Sequence, residues 1–371
     1  MSVIGFVSTH QPTLCGLATF SASLYAELVT ASASQGRVVR VVDSPQPRPS
    51  NDVVAELVAG DPASRARSAT ALTGCDVVIV QHEFGIYGGS DGDEVIPFLA
   101  ALAAPSIVVL HTVLSAPTAH QKQVIDEVAR LADVVVVMTG TARDRLSGVY
   151  DVEMHKVRLI PHGAAAVPRS ISATFRSVEP TILTWGLIGP GKGIEWGIEA
   201  MALLQDLSPT PQYVVAGQTH PKVLAHTGES YRLSLTDKVH ELRLLNCVTL
   251  DNHYRHAAAL AGLISTADVV LLPYDSTDQV TSGVLIEALA AGKPVVATRF
   301  PHAVEMLEDG GGILVPHKDP VAMAEALREA LALRTPARRT SARTVAPMLW
   351  PVVADRYRDV VSQLKLGRPA A

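Results

Sequence analysis

The fold of this chain is restricted above all by short, uninterrupted runs of Val, Ile and Leu that recur between helix-like segments. A strand with one face in water alternates apolar and polar residues, whereas a strand covered by helices on both faces is apolar throughout. The runs are therefore typical of a doubly wound α/β domain with a parallel sheet. In the first part of the chain they cover residues 3–8, 38–42, 77–81, 107–111, 134–138 and 157–160.

A second series of runs follows a stretch that contains Pro and Ser, at residues 167–180. These runs cover residues 182–185, 213–216, 248–250, 269–272, 294–297 and 312–315, and helical patterns lie between them at 195–206, 260–266, 283–291 and 320–333. A chain of 371 residues is long enough for two domains. We predict one domain over residues 1–167, a second over 168–345, and a C-terminal helix and tail over 346–371.

Composition excludes several classes of protein. Lys and Arg number 31 against 36 Asp and Glu, a net charge of −5 that disfavours binding to nucleic acid. A hydrophobic content of 48% with 18% charged residues excludes disorder over most of the chain. Three widely separated cysteines, Cys15, Cys75 and Cys247, form neither a disulfide framework nor a metal motif. Without a basic leader or a continuous apolar span, a cytoplasmic location is expected.

The strongest candidate for a ligand site follows the run at 269–272. A polar loop leads to Thr281, Ser282 and Gly283, which open a helix whose first amides and positive dipole end suit a diphosphate. Gly283 allows close approach to the backbone, and Glu287 lies one turn further on, where a carboxylate can accept hydrogen bonds from ribose hydroxyls. Ligands of parallel sheets bind beyond the carboxyl ends of strands, where this loop lies.

Residues 287–297 read Glu-Ala-Leu-Ala-Ala-Gly-Lys-Pro-Val-Val-Ala. This run resembles the retaining glycosyltransferases of family 4, which have the GT-B fold. The resemblance implies two Rossmann-like domains facing a central cleft, with acceptor binding by the first, donor binding by the second, and the C-terminal helix packed back on the body. It also implies transfer of a hexose from a nucleotide diphosphate sugar to a hydroxyl acceptor, without a metal or a cofactor other than the donor.

One position departs from the family pattern. The family has an acid eight positions before Glu287, and this chain has Gln279. An amide there can still hydrogen-bond to sugar hydroxyls. The pattern Gln-x-x-Ser-Gly from Gln279 to Gly283 resembles a mannosyltransferase-like subgroup, which implies GDP-mannose as the donor. A UDP- or ADP-linked glucose is the alternative, and the acceptor is a sugar, a glycolipid or a small molecule.

A glycine-rich loop follows the run at 182–185 and ends in Lys192. Its spacing matches a nucleotide-hydrolase P-loop, but Gly193 replaces the Ser or Thr that would bind Mg²⁺. By resemblance to family 4, Lys192 contacts the donor diphosphate and is catalytic together with Gln279; a solvated loop lysine is the alternative. Gly217 resembles part of the loop beside the nucleobase.

In the first domain, Gly16 begins a helix after the first run, either as a donor-binding glycine or as a simple tight turn. His82 and His111 each end an apolar run. By resemblance, His111 is an active-site histidine that contacts the donor hexose, and His82 with Glu83 shapes the acceptor side. For both histidines a purely structural role stays open.

Two charged patterns have ordinary explanations. Asp91 and Asp93 have the Asp-x-Asp form of metal-dependent transferases, but we favour helix capping and predict no metal site. A group of five arginines, called the basic concentration, is either a solvated surface or a contact with the inner face of an anionic membrane that holds a lipid-linked acceptor. Its members are Arg328, Arg334, Arg338, Arg339 and Arg343.

Two rival functions use the same donor site. A sugar-nucleotide epimerase or hydrolase would consume the donor without an added acceptor. A catalytically silent sugar-nucleotide-binding protein is suggested by Gln279 and by a glycine loop without arginine.

Overall fold

A computed structural model describes residues 2–32, 34–46, 50–166, 178–332 and 346–367. The chain divides into two compact units, residues 1–163 with 350–371, and residues 164–349. The first unit is therefore built from two separate segments of the chain. The predicted boundary after residue 167 lies outside the described residues.

The first unit contains a parallel sheet in the order β3-β2-β1-β4-β5-β6-β7. The predicted runs form parallel strands, as expected. They are buried over most of their length, except that Arg158 and Leu159 of the run at 157–160 are exposed. The strand β3 was not predicted, because it is an edge strand in which buried and half-buried residues alternate. The strands are β1 Val3–Ser8, β2 Gln35–Val42, β3 Val53–Val58, β4 Val77–His82, β5 Ser106–Leu110, β6 Val134–Val137 and β7 Val157–Leu159.

Helices connect the strands of the first unit except at the step from β2 to β3, where the described residues contain none. The C-terminal helix α13 belongs to the same unit. Its buried face, including Trp350, Val353 and Tyr357, packs in one core with strand residues and with Phe20 of α1. Lys365 pairs with Asp76 at 3.1 Å and fastens the end of the helix. The helices are α1 Gly16–Tyr25, α2 Pro62–Ala71, α3 Val95–Ala100, α4 Ala119–Leu131, α5 Gly140–Val149 and α13 Trp350–Leu366.

The second unit contains a parallel sheet in the order β10-β9-β8-β11-β12-β13. All of its described strands coincide with predicted runs. They are β8 Thr181–Trp185, β9 Gln212–Ala216, β10 Val248–Asp251, β11 Val269–Leu272, β12 Val295–Thr298 and β13 Ile313–Val315.

Helices cover both faces of the second sheet, as the continuous apolar strands require. Sequence patterns located four of them, whereas α7, α8 and α11 were not predicted because they bury few apolar residues. The helices are α6 Ile194–Ala202, α7 Pro221–Thr227, α8 Ser230–Glu241, α9 Ala257–Thr266, α10 Gly283–Ala290, α11 Pro301–Leu307 and α12 Pro320–Ala332.

Each sheet reverses its strand order once, between β1 and β4 in the first unit and between β8 and β11 in the second. Such a reversal opens a crevice at the carboxyl ends of the two central strands, where ligands of this architecture bind. Across the described part of the chain, none of the helices combines the length and apolar character needed to cross a membrane.

Candidate active site

The start of α10 forms the centre of the candidate site in the second unit. Ser282 is the N-cap, in an extended conformation, and its hydroxyl accepts a hydrogen bond from the Leu285 amide at 3.2 Å. Within the described residues, the amides of Gly283 and Val284 donate to no acceptor. Two adjacent free amides at the positive end of a helix dipole form an anion site. Thr281 lies just before them, and its buried hydroxyl has no partner among the described residues.

Glu287 lies one turn further along α10. Its Oε2 accepts a hydrogen bond from the Trp185 indole at 3.1 Å, and Trp185 is the last residue of β8. Burial raises the pKa of the Glu287 carboxyl above its ordinary value. No hydrogen bond from a described residue reaches its Oε1, so the carboxylate is fixed by one oxygen and can accept hydrogen bonds with the other.

The glycine-rich loop that carries Lys192 is docked onto the loop after β11. The Asp275 amide donates to the Gly191 carbonyl at 3.0 Å. Gly193 has a φ of +62°, and a Cβ there would lie 1.9 Å from the Pro273 carbonyl oxygen, so only glycine fits. The Lys192 ammonium lies 4.3 Å from the centre of the Tyr274 ring. This cation–π contact holds the charge of the half-buried Lys192 at the carboxyl end of the sheet.

Gly217 has a structural reason for being glycine as well as the predicted binding role. Its φ is +147°, and a Cβ there would lie 1.8 Å from the Gly186 carbonyl oxygen. The buried Arg232 of α8 donates to the Gly217 carbonyl, and to the Thr219 hydroxyl at 3.2 Å. Arg232 was not identified in the sequence, because a basic residue on a polar helix gives no sign of burial.

Gln279 and His302 brace the segment that leads into α10. The Gln279 side-chain amide donates to the Thr281 carbonyl at 3.1 Å. Nδ1 of the buried His302 accepts from the Ser282 amide at 2.7 Å, and the His302 amide donates to the Gln279 carbonyl at 3.3 Å. His302 was not identified in the sequence, because its partner lies 20 residues away and no motif links them.

In the first unit, the half-buried His111 follows β5. Its Nε2 lies 2.7 Å from the side-chain carbonyl oxygen of Gln81, the penultimate residue of β4, and must donate because that oxygen only accepts. The Phe20 ring packs against the imidazole edge to face, with centroids 4.9 Å apart. Burial, reinforced by the neighbouring His162 and His82 imidazoles, lowers the pKa of His111 to about 3. His111 is therefore a neutral group with an acceptor at Nδ1.

His82 differs from His111 because it points into the protein. Its side chain is fully buried beside Phe84 and Tyr87, and neither ring nitrogen has a hydrogen-bond partner among the described residues. Burial lowers its pKa to about 4. The side chain does not reach the surface, and these surroundings favour a purely structural role for His82.

Glu83 and Gly16 occupy the same edge of the first sheet, after β4 and β1. Both carboxylate oxygens of Glu83 are engaged, with the Thr112 hydroxyl at 2.6 Å and the Phe84 amide at 3.0 Å. Gly16 begins α1, and nothing lies within 4 Å of where its Cβ would be. The structure thus brings Gly16, Glu83 and His111 to one sheet edge and leaves open space at the first of them.

The remaining charged motifs take part in local contacts. Asp91 accepts from His120 at 2.8 Å and from Gln121 at 3.2 Å, both in α4, rather than capping α3 with its side chain. Among the described residues no group of three or more His, Cys, Asp or Glu could hold a metal ion. Arg328 pairs with Asp206 at 2.6 Å. The other members of the predicted basic concentration lie outside the described residues.

Known proteins resemble this chain in sequence and in fold. Residues 179–332, most of the second unit, match the family model described as glycosyl transferases group 1. Alpha-D-kanosaminyltransferase of Streptomyces kanamyceticus is 26% identical over 267 residues, which are 66% of each protein. The match therefore spans slightly less than two thirds of that relative's length.

Solved structures resemble the chain over nearly its whole length, among them the two that follow. Sucrose-phosphate synthase from Thermosynechococcus elongatus has a TM-score of 0.78 at 20% identity, over 99% of this chain and 100% of that one. Anabaena HepE, solved in complex with UDP and glucose, has a TM-score of 0.77 at 15% identity, over 98% of this chain and 100% of that one. The fold is GT-B. The GT-B fold predicted from the resemblance is thus confirmed.

Proposed function

We propose that this protein is a retaining glycosyltransferase that moves a hexose from a nucleotide diphosphate sugar to a hydroxyl acceptor. The observation that carries the proposal is the pair of free amides at Gly283 and Val284, with Glu287 one turn along the same helix. The amides suit a diphosphate, and Oε1 of Glu287 suits the ribose hydroxyls. The family match over residues 179–332 supports the same chemistry.

In the proposed reaction, the bond between the sugar anomeric carbon and the diphosphate oxygen breaks while the acceptor oxygen bonds to that carbon. The acceptor attacks the face of the sugar that the leaving group vacates, so the anomeric configuration is retained. The acceptor proton passes to the departing diphosphate. Negative charge grows on the diphosphate, where the two amides and Lys192 would stabilise it without a metal. Gln279 and the neutral His111 are proposed to contact hexose hydroxyls, Gly16 and Gly217 to let the donor approach the backbone, and Glu83 to act on the acceptor side.

The proposed donor is GDP-mannose. The Gln-x-x-Ser-Gly pattern supports GDP-mannose. The HepE structure, which holds UDP and glucose, supports UDP-glucose as the alternative.

The direct test is incubation with GDP-mannose, UDP-glucose, UDP-N-acetylglucosamine and ADP-glucose, with and without simple sugar, glycolipid and small-molecule acceptors. We expect nucleotide release that depends on an acceptor, and a glycoside whose anomeric configuration, read by NMR, equals that of the donor. Nucleotide release without glycoside would favour the hydrolase or epimerase. Binding without turnover would favour the silent sugar-nucleotide-binding protein.

Two substitutions test the assigned residues. Glu287→Ala removes the proposed ribose acceptor and should weaken nucleotide binding by about tenfold or more, the usual value of a hydrogen bond to a charged group. Lys192→Ala should mainly lower kcat, by about a hundredfold, because its charge matters most when the diphosphate departs. Glu287→Gln and Lys192→Met are the matched controls, since they keep the size of each side chain. Unchanged kinetics in both alanine variants would contradict the site assignment.

A further inference from the structure

His302 lies directly behind the start of α10. It is the second residue of α11, and its side chain is only 2% exposed. Its Nδ1 accepts the Ser282 amide at 2.7 Å, so the imidazole is neutral there and carries its proton on Nε2. A buried imidazole that accepts from the N-cap amide of a ligand-binding helix restrains the geometry of that helix start.

The peptide between Thr281 and Ser282 is held at both of its polar atoms. Its carbonyl oxygen accepts from the Gln279 side-chain amide at 3.1 Å, and its N–H donates to His302. We call this unit the clamped peptide. The His302 backbone amide adds a hydrogen bond to the Gln279 carbonyl at 3.3 Å, which ties the other end of the short segment to α11. The plane of the clamped peptide is therefore fixed before any ligand binds.

Fixing that plane selects the amides that remain for an anion. The Ser282 N–H is already used, so it cannot turn toward a ligand. The next two amides, of Gly283 and Val284, have no acceptor among the described residues. Their directions follow from the orientation of Ser282, because each peptide plane can rotate only about two soft dihedral angles per residue. A preorganised pair of donors loses little conformational freedom when a phosphate binds.

We propose that His302 is a positioning residue for the diphosphate, acting through the clamped peptide, an inference that rests on the proposed function. In this role His302 accepts a hydrogen bond from the protein and does not touch the sugar nucleotide. Removing its acceptor would let the clamped peptide rotate, so the Gly283 and Val284 amides would no longer converge on one phosphate. Base and ribose contacts, proposed around Gly217 and Glu287, would be unaffected.

The test compares nucleoside diphosphates with nucleosides. UDP and GDP are titrated by calorimetry, and uridine and guanosine are measured by displacement or NMR titration, for the wild type, His302→Leu and His302→Asn. Leu removes the acceptor, whereas the Asn side-chain oxygen can replace Nδ1. We expect His302→Leu to lose about tenfold in diphosphate affinity with nucleoside affinity unchanged, and His302→Asn to recover most of the loss.

Other outcomes decide against the inference. Equal losses for diphosphate and nucleoside would show a general structural role, and no loss would show that the clamp is irrelevant to binding. If His302→Leu does not fold, Gln279→Met releases the opposite end of the clamped peptide and should cause the same selective loss. A wild-type protein that binds no nucleotide would refute the proposed function itself, a result distinct from wild-type binding that His302→Leu leaves intact.

Discussion

Replacing the buried His82 should make the first unit less sensitive to acid. Burial lowers the pKa of this imidazole from 6.5 to about 4. Between these values the unfolded chain binds more protons than the folded one, so the free energy of unfolding falls as the pH falls. This difference in pKa is equivalent to about 3 kcal/mol at complete protonation, of which about 2 kcal/mol is lost between about pH 7 and about pH 5.

His82→Leu removes this contribution at little other cost. Neither ring nitrogen has a hydrogen-bond partner among the described residues, so an apolar side chain of similar size breaks no such bond. We expect the unfolding free energy near neutral pH to stay within about 1.5 kcal/mol of the wild type. On acidification from about pH 7 to about pH 5, the unfolding free energy of the variant should fall by about 2 kcal/mol less than that of the wild type. His111 and His162, whose pKa values are also lowered by burial, leave both proteins with further acid sensitivity of the same sign.

The assay must report on the first unit alone, since two units need not unfold together. Urea-dependent hydrogen exchange of peptides from β1, β4 and β5, measured by mass spectrometry at both pH values, gives the unfolding free energy of that sheet. His155→Leu, which removes an exposed imidazole from the same unit, is the matched control. An equal loss of stability on acidification in the wild type and in His82→Leu would refute the reasoning.

Two further substitutions test the second unit. Gly193→Ala places a Cβ against the Pro273 carbonyl at a positive φ and should lower the unfolding free energy by about 3 kcal/mol, measured by denaturation. The control is Gly191→Ala, at a φ of +86° but with open space around the Cβ position, which should lower it by only about 1 to 2 kcal/mol. Equal losses in the two variants would contradict the argument that the Pro273 carbonyl leaves no space for a Cβ. Gln279→Glu replaces the donor to the Thr281 carbonyl with a carboxylate and should lower the unfolding free energy of the second unit by about 1 to 2 kcal/mol, measured by denaturation. An unfolding free energy equal to that of the wild type would show that this hydrogen bond does not stabilise the segment.

Strands could be predicted from the sequence where both faces are buried. The run 134–138 illustrates this, since β6 Val134–Val137 is buried throughout and needs no long-range information to be recognised. The edge strand β3 was missed because its residues alternate between buried and half-buried and include Glu56, so it does not form a continuous apolar run. Deep burial is not needed for every prediction, because the predicted run at 157–160 forms the edge strand β7, in which Arg158 and Leu159 are exposed.

The candidate site could be predicted only in part. Ser282 and Gly283 were recognisable because a helix start has a local signature. His302 was not, because its contact with Ser282 depends on how two helices pack. His82 shows the converse limit. Neighbouring residues of a strand point to opposite faces, so Gln81 reaches His111 while His82 enters the core, and the end of an apolar run does not reveal which residue does which.

The assignment of α13 to the first unit has a consequence for biosynthesis. A ribosome releases the amino-terminal strands early, yet Trp350, Val353 and Tyr357 complete their hydrophobic core only after every residue of the second unit has been translated. The second unit, made from one continuous segment, can be finished sooner. The half of the protein that is synthesised first is therefore the half that closes last.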